Sequence, residues 1–185
     1  KVCSQFVNSK ENPDFSLNFY GINQNHFKYN ISELIDMSFP ELRQFVTIYP
    51  KIPNEELLAK LATNNLFLLF NYYTYMGTKI YDYLGLKRNI LLCYSDDMEA
   101  KALRSKYFNF KSNSQQEIRV QEELLEETNS GIIVKNANHL KEVLNSFYDE
   151  FSTNKSIACN SSRTDELSRV GQVKKMSDII FDLIK

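Results

Sequence analysis

The residues best suited to chemistry lie in one loop, Asn71-Tyr-Tyr-Thr-Tyr-Met-Gly-Thr-Lys79. It follows a continuous apolar run, Leu66-Phe-Leu-Leu-Phe70, and leads into a stretch of helical character, Thr78–Leu86. The first turn of a helix has backbone N–H groups without intrahelical acceptors and the positive end of the helix dipole, so it can seat a phosphate. Gly77 lets backbone approach an anion closely, Thr78 can cap the helix or donate, and Lys79 adds a positive charge. Asp82 falls one turn further on the same face, where its carboxylate can accept hydrogen bonds from a ribose diol. The same residues also have a plainer reading. Thr78 is then an N-cap, Lys79 and Asp82 are a solvated pair three residues apart, and the tyrosines cover a sheet edge. Neither GxxxxGK[ST] nor GxGxxG occurs, so this is not a standard phosphate loop.

Other reactive side chains are scattered. His26 follows the first predicted strand and reads as an exposed loop residue; His139 opens a helix among polar residues and reads as surface. Asp96-Asp97 follows a strand and is the one acidic pair that suggests a Mg²⁺-dependent phosphoacceptor site. Cys3, Cys93 and Cys159 are distant from one another, odd in number and in no CxxC or Cys/His cluster, which fits reduced thiols rather than a disulfide framework. Asn-x-Ser triplets at Asn30, Asn154 and Asn160 are expected by chance in a chain so rich in Asn. There is no HExxH, no Ser-His-Asp spacing and no metal-ligand cluster.

The elements that must position that loop alternate. Strands are predicted at Phe15–Gly21, Gln44–Tyr49, Leu66–Phe70, Asn89–Tyr94 and Gly131–Val134, from β-branched and aromatic runs or short apolar ones. Helices are predicted at residues 2–11, near Asn30–Met37, at Glu55–Ala62 with Asn54 as N-cap, at Thr78–Leu86, from Asp96, at Ser114–Glu127, at His139–Phe151 and over 163–185. A polar linker is expected at Ser152–Ser162. This order implies βαβ units and an α/β, Rossmann-like three-layer domain, with a mostly parallel sheet of about five strands flanked by helices. Leu66–Phe70, apolar at five successive positions, reads as its most buried, central strand. Ligands of such folds bind at the carboxyl ends of the strands, so the loops at 21–26, 50–53, 71–78, 95–98 and 135–138 are where a site belongs.

Composition removes other classes. The chain has 185 residues and a net charge of −1, with 43% apolar and 13% aromatic residues. That apolar content can offset the ordering entropy of folding, which excludes disorder. The absence of a basic excess argues against nucleic-acid binding driven by counterion release. No apolar run approaches the roughly 18–20 residues that span a bilayer, and the first residues form no signal-peptide core. The length suits one domain, at 1–185.

Three segments, taken in order, resemble the C-terminal, donor-binding half of group-1 (family 4-like) glycosyltransferases of the GT-B fold. They are Tyr49-Pro-Lys-Ile-Pro-Asn-Glu-Glu-Leu-Leu followed by Leu66-Phe-Leu-Leu-Phe70; Gly77-Thr-Lys-Ile-Tyr-Asp-Tyr-Leu-Gly-Leu-Lys-Arg-Asn-Ile-Leu-Leu92; and Glu127-Thr-Asn-Ser-Gly-Ile-Ile-Val-Lys-Asn-Ala-Asn-His-Leu140. Arg169 and the last helix are similar to the family's C-terminal tail. The resemblance covers roughly residues 2–185. It implies that Tyr75, Met76, Gly77, Thr78 and Lys79 face the donor diphosphate or sugar. It also implies that Asp82 takes the ribose-binding acidic position and that Tyr49, Pro50, Lys51 and Ile52 lie by the nucleobase. Asp82 stands where the family usually has the second Glu of its Glu, seven residues, Glu motif, and Thr74 stands where the first Glu, which normally faces the transferred sugar, would sit.

The resemblance further implies a hexosyltransferase without cofactor or metal, taking a nucleotide-diphosphate sugar as donor substrate. The acceptor would be a glycan or lipid-linked saccharide in bacterial surface polysaccharide synthesis, held by an N-terminal domain that this chain lacks. The family's first donor-domain strand would also be absent, leaving a fragment inactive alone. A cytoplasmic location follows, with peripheral attachment at the inner face of the cell membrane coming through the missing half. Two other readings stand beside this one: a non-catalytic α/β interaction domain derived from the fold, and a small flavodoxin-like or response-regulator-like protein.

Overall fold

The computed structural model describes residues 1–21, 30–70, 77–93 and 119–184. The predicted helix from Asp96, residues 114–118 of the predicted helix at 114–127, and His26 lie outside them. The described elements run α1 (Val2–Asn8), β1 (Leu17–Tyr20), α2 (Ile31–Ser38), a 3-10 turn (Pro40–Phe45), β2 (Val46–Tyr49), α3 (Asn54–Leu61), β3 (Leu66–Phe70), α4 (Lys79–Gly85), β4 (Asn89–Cys93), α5 (Val120–Thr128), β5 (Gly131–Val134), α6 (Ala137–Asn154), a second 3-10 turn (Thr164–Leu167) and α7 (Arg169–Leu183). The fold is α/β with parallel sheets flanked by helices.

The five strands do not form one sheet. β1 and β2 pair in parallel, with Leu17 opposite Val46. β3, β4 and β5 form a second parallel sheet in that order, with Leu68 opposite Leu91 and Leu91 opposite Ile132. Among the described residues nothing pairs with the second edge of β1 or of β3. The expected central strand is corrected accordingly. β4, not β3, is buried along its length, with Ile90, Leu91 and Leu92 each at most 3% exposed. β3 lies at an edge, where Leu68 is 39% and Phe70 60% exposed. An unbroken apolar run reports a strand suited to two covered faces; it does not say which neighbours cover them.

Helices cover both faces. On one, Leu61 of α3, Ile80 and Leu84 of α4, and Leu124 and Leu125 of α5 pack on Phe67, Ile90 and Leu92. On the other, Leu140, Val143, Leu144 and Phe147 of α6 meet Leu66, Leu91, Ile132 and Val134. The smaller sheet shares these layers. Leu17, Phe19, Val46 and Ile48 pack with Phe6 and Val7 of α1 and with Leu144 and Tyr148 of α6, whereas Tyr20 turns to the α3/α4 side. Gly131 is required at the start of β5, because a Cβ there would lie 2.0 Å from the Ile90 carbonyl oxygen.

Local signals set the helix ends. Asn30 and Glu33 form a capping box, the Asn30 side chain accepting from the Glu33 amide at 2.8 Å and the Glu33 carboxylate from the Asn30 amide at 3.1 Å. Asn54 does not cap α3 as expected; it is the first helical residue, and Pro53 stands at the N-cap with φ −55° and ψ 147°. The proline ring already holds that φ, so the extended cap geometry is reached without a side-chain bond. α6 runs into the expected linker as far as Asn154. The chain beyond it is strapped to the sheet by Asn89, whose side-chain amide donates to the Ala158 carbonyl at 2.6 Å, and by the Ser162 amide donating to the Thr128 carbonyl at 2.8 Å.

The last helix begins at Arg169 rather than 163, after the 3-10 turn. Ser168 caps it, accepting from the Gly171 amide at 3.0 Å. Glu166 in the turn receives Arg163 at 3.2 Å and Lys175 at 3.1 Å, and these two cations hold its carboxyl down at about 2. Beyond that anchor α7 leaves Val173, Met176, Ile180 and Leu183 exposed. No helix among the described residues is long and apolar enough to cross a membrane.

The unequal burial of β3 and β4 has a measurable consequence. Leu92→Ala should cost about 3 kcal/mol in urea unfolding, the usual scale for truncating a fully buried leucine. Phe70→Ala should cost under about 1 kcal/mol, because its ring is already in water.

Candidate functional site

The described members of the expected site fall in two groups, one at the end of β2 and one at the start of α4, the helix that follows β3. α4 is fixed there from beneath. Ile80 is fully buried, Leu84 is 2% exposed, and the Tyr83 ring stacks on Phe67 of β3 with centroids 4.4 Å apart and planes 21° from parallel. Burial, and secondarily the neighbouring Asp82 carboxylate, push the Tyr83 hydroxyl above its ordinary range, so it stays neutral and acts as packing. With one side of α4 so held, Thr78, Lys79 and Asp82 are left exposed.

Gly77 has φ +67°, a left-handed conformation that glycine adopts without penalty, and it turns the chain into the helix. Thr78 does not act as the expected cap. Its backbone is helical at φ −81° and ψ −23°, and its side chain makes no capping bond. A capping side chain reaches its amides from extended backbone, so helical dihedrals at Thr78 take the hydroxyl out of range. Among the described residues the first-turn amides of α4 therefore keep no side-chain acceptor. The expected Lys79–Asp82 pair is also not formed; among the described residues Lys79 makes no ion pair. Tyr75 and Met76 lie outside the described residues, as do Thr74 and Asp96-Asp97.

The second cluster, Tyr49, Pro50, Lys51 and Ile52, leaves β2 beside the end of β1. Tyr49 stacks on Tyr20 with centroids 4.6 Å apart and planes 7° from parallel, and the Lys60 ammonium lies 5.7 Å from its ring centroid. The Gly21 amide donates to the Tyr49 carbonyl at 3.1 Å and continues the ladder past the last paired residues. Pro50 and Lys51 are exposed, and Ile52 is half-buried. Tyr49 is thus already engaged within the protein by one face of its ring.

Two further features lie at the same end of the sheet. The first is an open hollow of about 320 Å³ lined by Lys135, Asn136, Asn138, His139 and Glu142, after β5. Asn136 caps α6 by accepting from the His139 amide at 2.9 Å, and His139 Nδ1 accepts from the Lys135 amide at 3.2 Å. His139 is therefore half-buried and structural rather than simply surface. The sequence carries the signal for this cap, an Asn three residues before a helical His. The second is Cys93, at the end of β4. Burial first, and then the neighbouring Cys3, push its thiol up to about 12; burial also raises Cys3.

No family model, curated protein or solved structure matches the chain.

Native Cys93 should be almost inert. At pH 8 a thiol with a pKa of about 12 is roughly one part in ten thousand thiolate, so alkylation by iodoacetamide should run orders of magnitude slower than in the urea-unfolded chain. Peptide mapping after timed labelling reads it; equal rates in both states would contradict the burial.

Proposed function

We propose that this chain is the nucleotide-sugar-binding unit of a GT-B glycosyltransferase of the group-1 kind. It would hold a nucleotide-diphosphate hexose whose sugar passes to a glycan or lipid-linked acceptor. One arrangement carries the reading: a left-handed glycine leads into the first turn of the helix after a parallel strand, and among the described residues that turn has no side-chain cap and its exposed lysine no ion pair. In this reading the amides of that turn and Lys79 receive the diphosphate, and Asp82, one turn on, accepts from the ribose hydroxyls. Lys51 and Ile52, exposed and half-buried beyond Tyr49, border the base.

The chemistry asked of these residues is leaving-group stabilisation. Charge develops on the β-phosphate as the glycosidic bond breaks, and a fixed ammonium with preorganised N–H donors favours it without reorganising. Binding remote parts of the donor through Asp82 and the base contacts would help to hold the anomeric carbon in place. The acceptor belongs to a second domain across a cleft, so the chain by itself binds nucleotide and turns nothing over.

The exposed apolar side of α7 favours a second reading, a non-catalytic interaction domain of the same architecture. Nucleotide binding separates the two. A ligand at ten times its dissociation constant adds about 1.4 kcal/mol to stability, which for a chain of this size is a rise of roughly 3–5 °C in Tm. Such a rise with UDP or GDP, lost in Lys79→Ala and reduced in Asp82→Ala, is the expected result. No shift with either nucleotide at millimolar concentration would remove the donor-binding reading and leave the second.

A further inference from the structure

We propose that α7 binds an anionic lipid surface, lying in the interface with its apolar side among the acyl chains and its lysines at the headgroups. The inference goes beyond the nucleotide reading and does not depend on it.

The helix sorts its side chains by polarity. Viewed down the axis, with successive residues turned by about 100°, an apolar arc opens at Ile179, passes Leu183, Met176, Ile180 and Val173, and closes at Phe181, a span of about 200°. Each of these six side chains is between 49% and 80% exposed. The polar residues inside the arc are Arg169, Gln172 and Ser177, the first two in the opening turn. The other arc holds, in order, Lys174, Asp178, Gly171, Asp182 and Lys175.

The anchor of α7 turns the apolar arc outward. Gly171 meets the 3-10 turn so closely that a Cβ there would lie 2.6 Å from the Asp165 carbonyl oxygen. Lys175 donates to the Glu166 carboxylate at 3.1 Å, and the Gln172 side-chain amide to the Glu166 carbonyl at 2.8 Å. These contacts fix the roll of the helix. Gly171 and Lys175 both belong to the polar arc, so that arc faces the turn and the opposite one faces away from it. Among the described residues no side chain of α7 is buried.

Width and charge select the occupant. A partner helix covers a stripe of about 100°, which would leave Ile179 and Phe181, at opposite borders, in water. A bilayer interface takes in an amphipathic helix to a depth of about 5–10 Å. That is about half or more of a helix roughly 10–12 Å across, so both borders are covered at once. The charges suit a negative plane. Lys174 stands beside Phe181 at one border and Lys175 beside Ile179 at the other. There the methylene stems can lie along apolar surface while the ammonium groups rise to the lipid phosphates. Asp178 and Asp182 fall between the two lysines, on the side farthest from the lipid.

The test mixes the chain with vesicles of phosphatidylcholine, alone or with about one-third phosphatidylglycerol, and reads co-sedimentation. The sequence has no Trp, so Phe181→Trp supplies a single reporter at the border of the apolar arc. The chain should sediment with the anionic vesicles and not with phosphatidylcholine alone, and the introduced indole should shift to the blue and be quenched by brominated acyl chains. Lys174→Gln should lower the partition constant about fivefold, the scale for one basic residue at such a surface. Met176→Asp combined with Ile180→Asp should abolish sedimentation and leave Tm unchanged, because both side chains are already exposed. The proposal is overturned by no sedimentation with anionic vesicles, by equal sedimentation of the double variant, or by equal sedimentation with phosphatidylcholine alone. A dimer mass that the double variant loses, without vesicle binding, would also overturn it and assign the face to a second copy.

Discussion

A parallel strand buried on both faces must have both of its edges paired, because no water reaches its N–H and C=O groups. Among the described residues β4 meets this condition, lying between β3 and β5 with helices above and below. Its demands reach outward in sequence. The Ile90 amide donates to the Ser130 carbonyl at 3.0 Å, and the close approach of the two chains there is why position 131 carries no side chain. Asn89, the polar residue at its start, is buried and spends its amide on Ala158, which ties the segment after α6 to the sheet. α3, α4 and α5 pack against Ile90 and Leu92; α6 packs against Leu91.

The site geometry is a consequence of that packing. α4 is short, and a seven-residue helix has little stability of its own. It is ordered by Ile80 and Leu84 in the core and by the Tyr83 ring against Phe67. These contacts use the side chains at 80, 83 and 84, so those at 78, 79 and 82 have nowhere to go but outward. The polar surface at this end of the sheet is thus the unburied remainder of a helix whose other side is committed. The Tyr20–Tyr49 stack does the same for the end of β2, where Pro50 and Pro53 prevent the strand from continuing.

Most elements were legible because their signals are local. Leu66–Phe70 and Gly131–Val134 stand where apolar runs bounded by turn residues put them, and α6 follows its stripe of Leu140, Val143, Leu144 and Phe147. What was not legible depends on partners distant in sequence. The neighbours of β3 cannot be read from β3. The burial of Gln121 and Glu122 in a helix of acidic pattern depends on what α5 lies against. Thr78 looks like a cap by type and position, yet its backbone, set by the packing of α4, takes helical dihedrals that remove the option. The candidate site was legible as a loop and as residue types; that its described residues form no side-chain cap and no Lys79–Asp82 pair was not.

β3 shows why sequence and structure can disagree about burial without either being wrong. An apolar sequence records the surroundings for which a strand is suited, whereas its exposure records the surroundings it has among the described residues. For β4 the two agree. For β3 they differ at Leu68 and Phe70, side chains on one face, while Phe67 on the other face is buried as its type demands. A strand suited only to an edge would carry charge or proline on its open side, the usual guard against unwanted pairing. β3 carries neither. The mismatch is therefore confined to one face of β3, and it follows from which neighbours cover that face among the described residues.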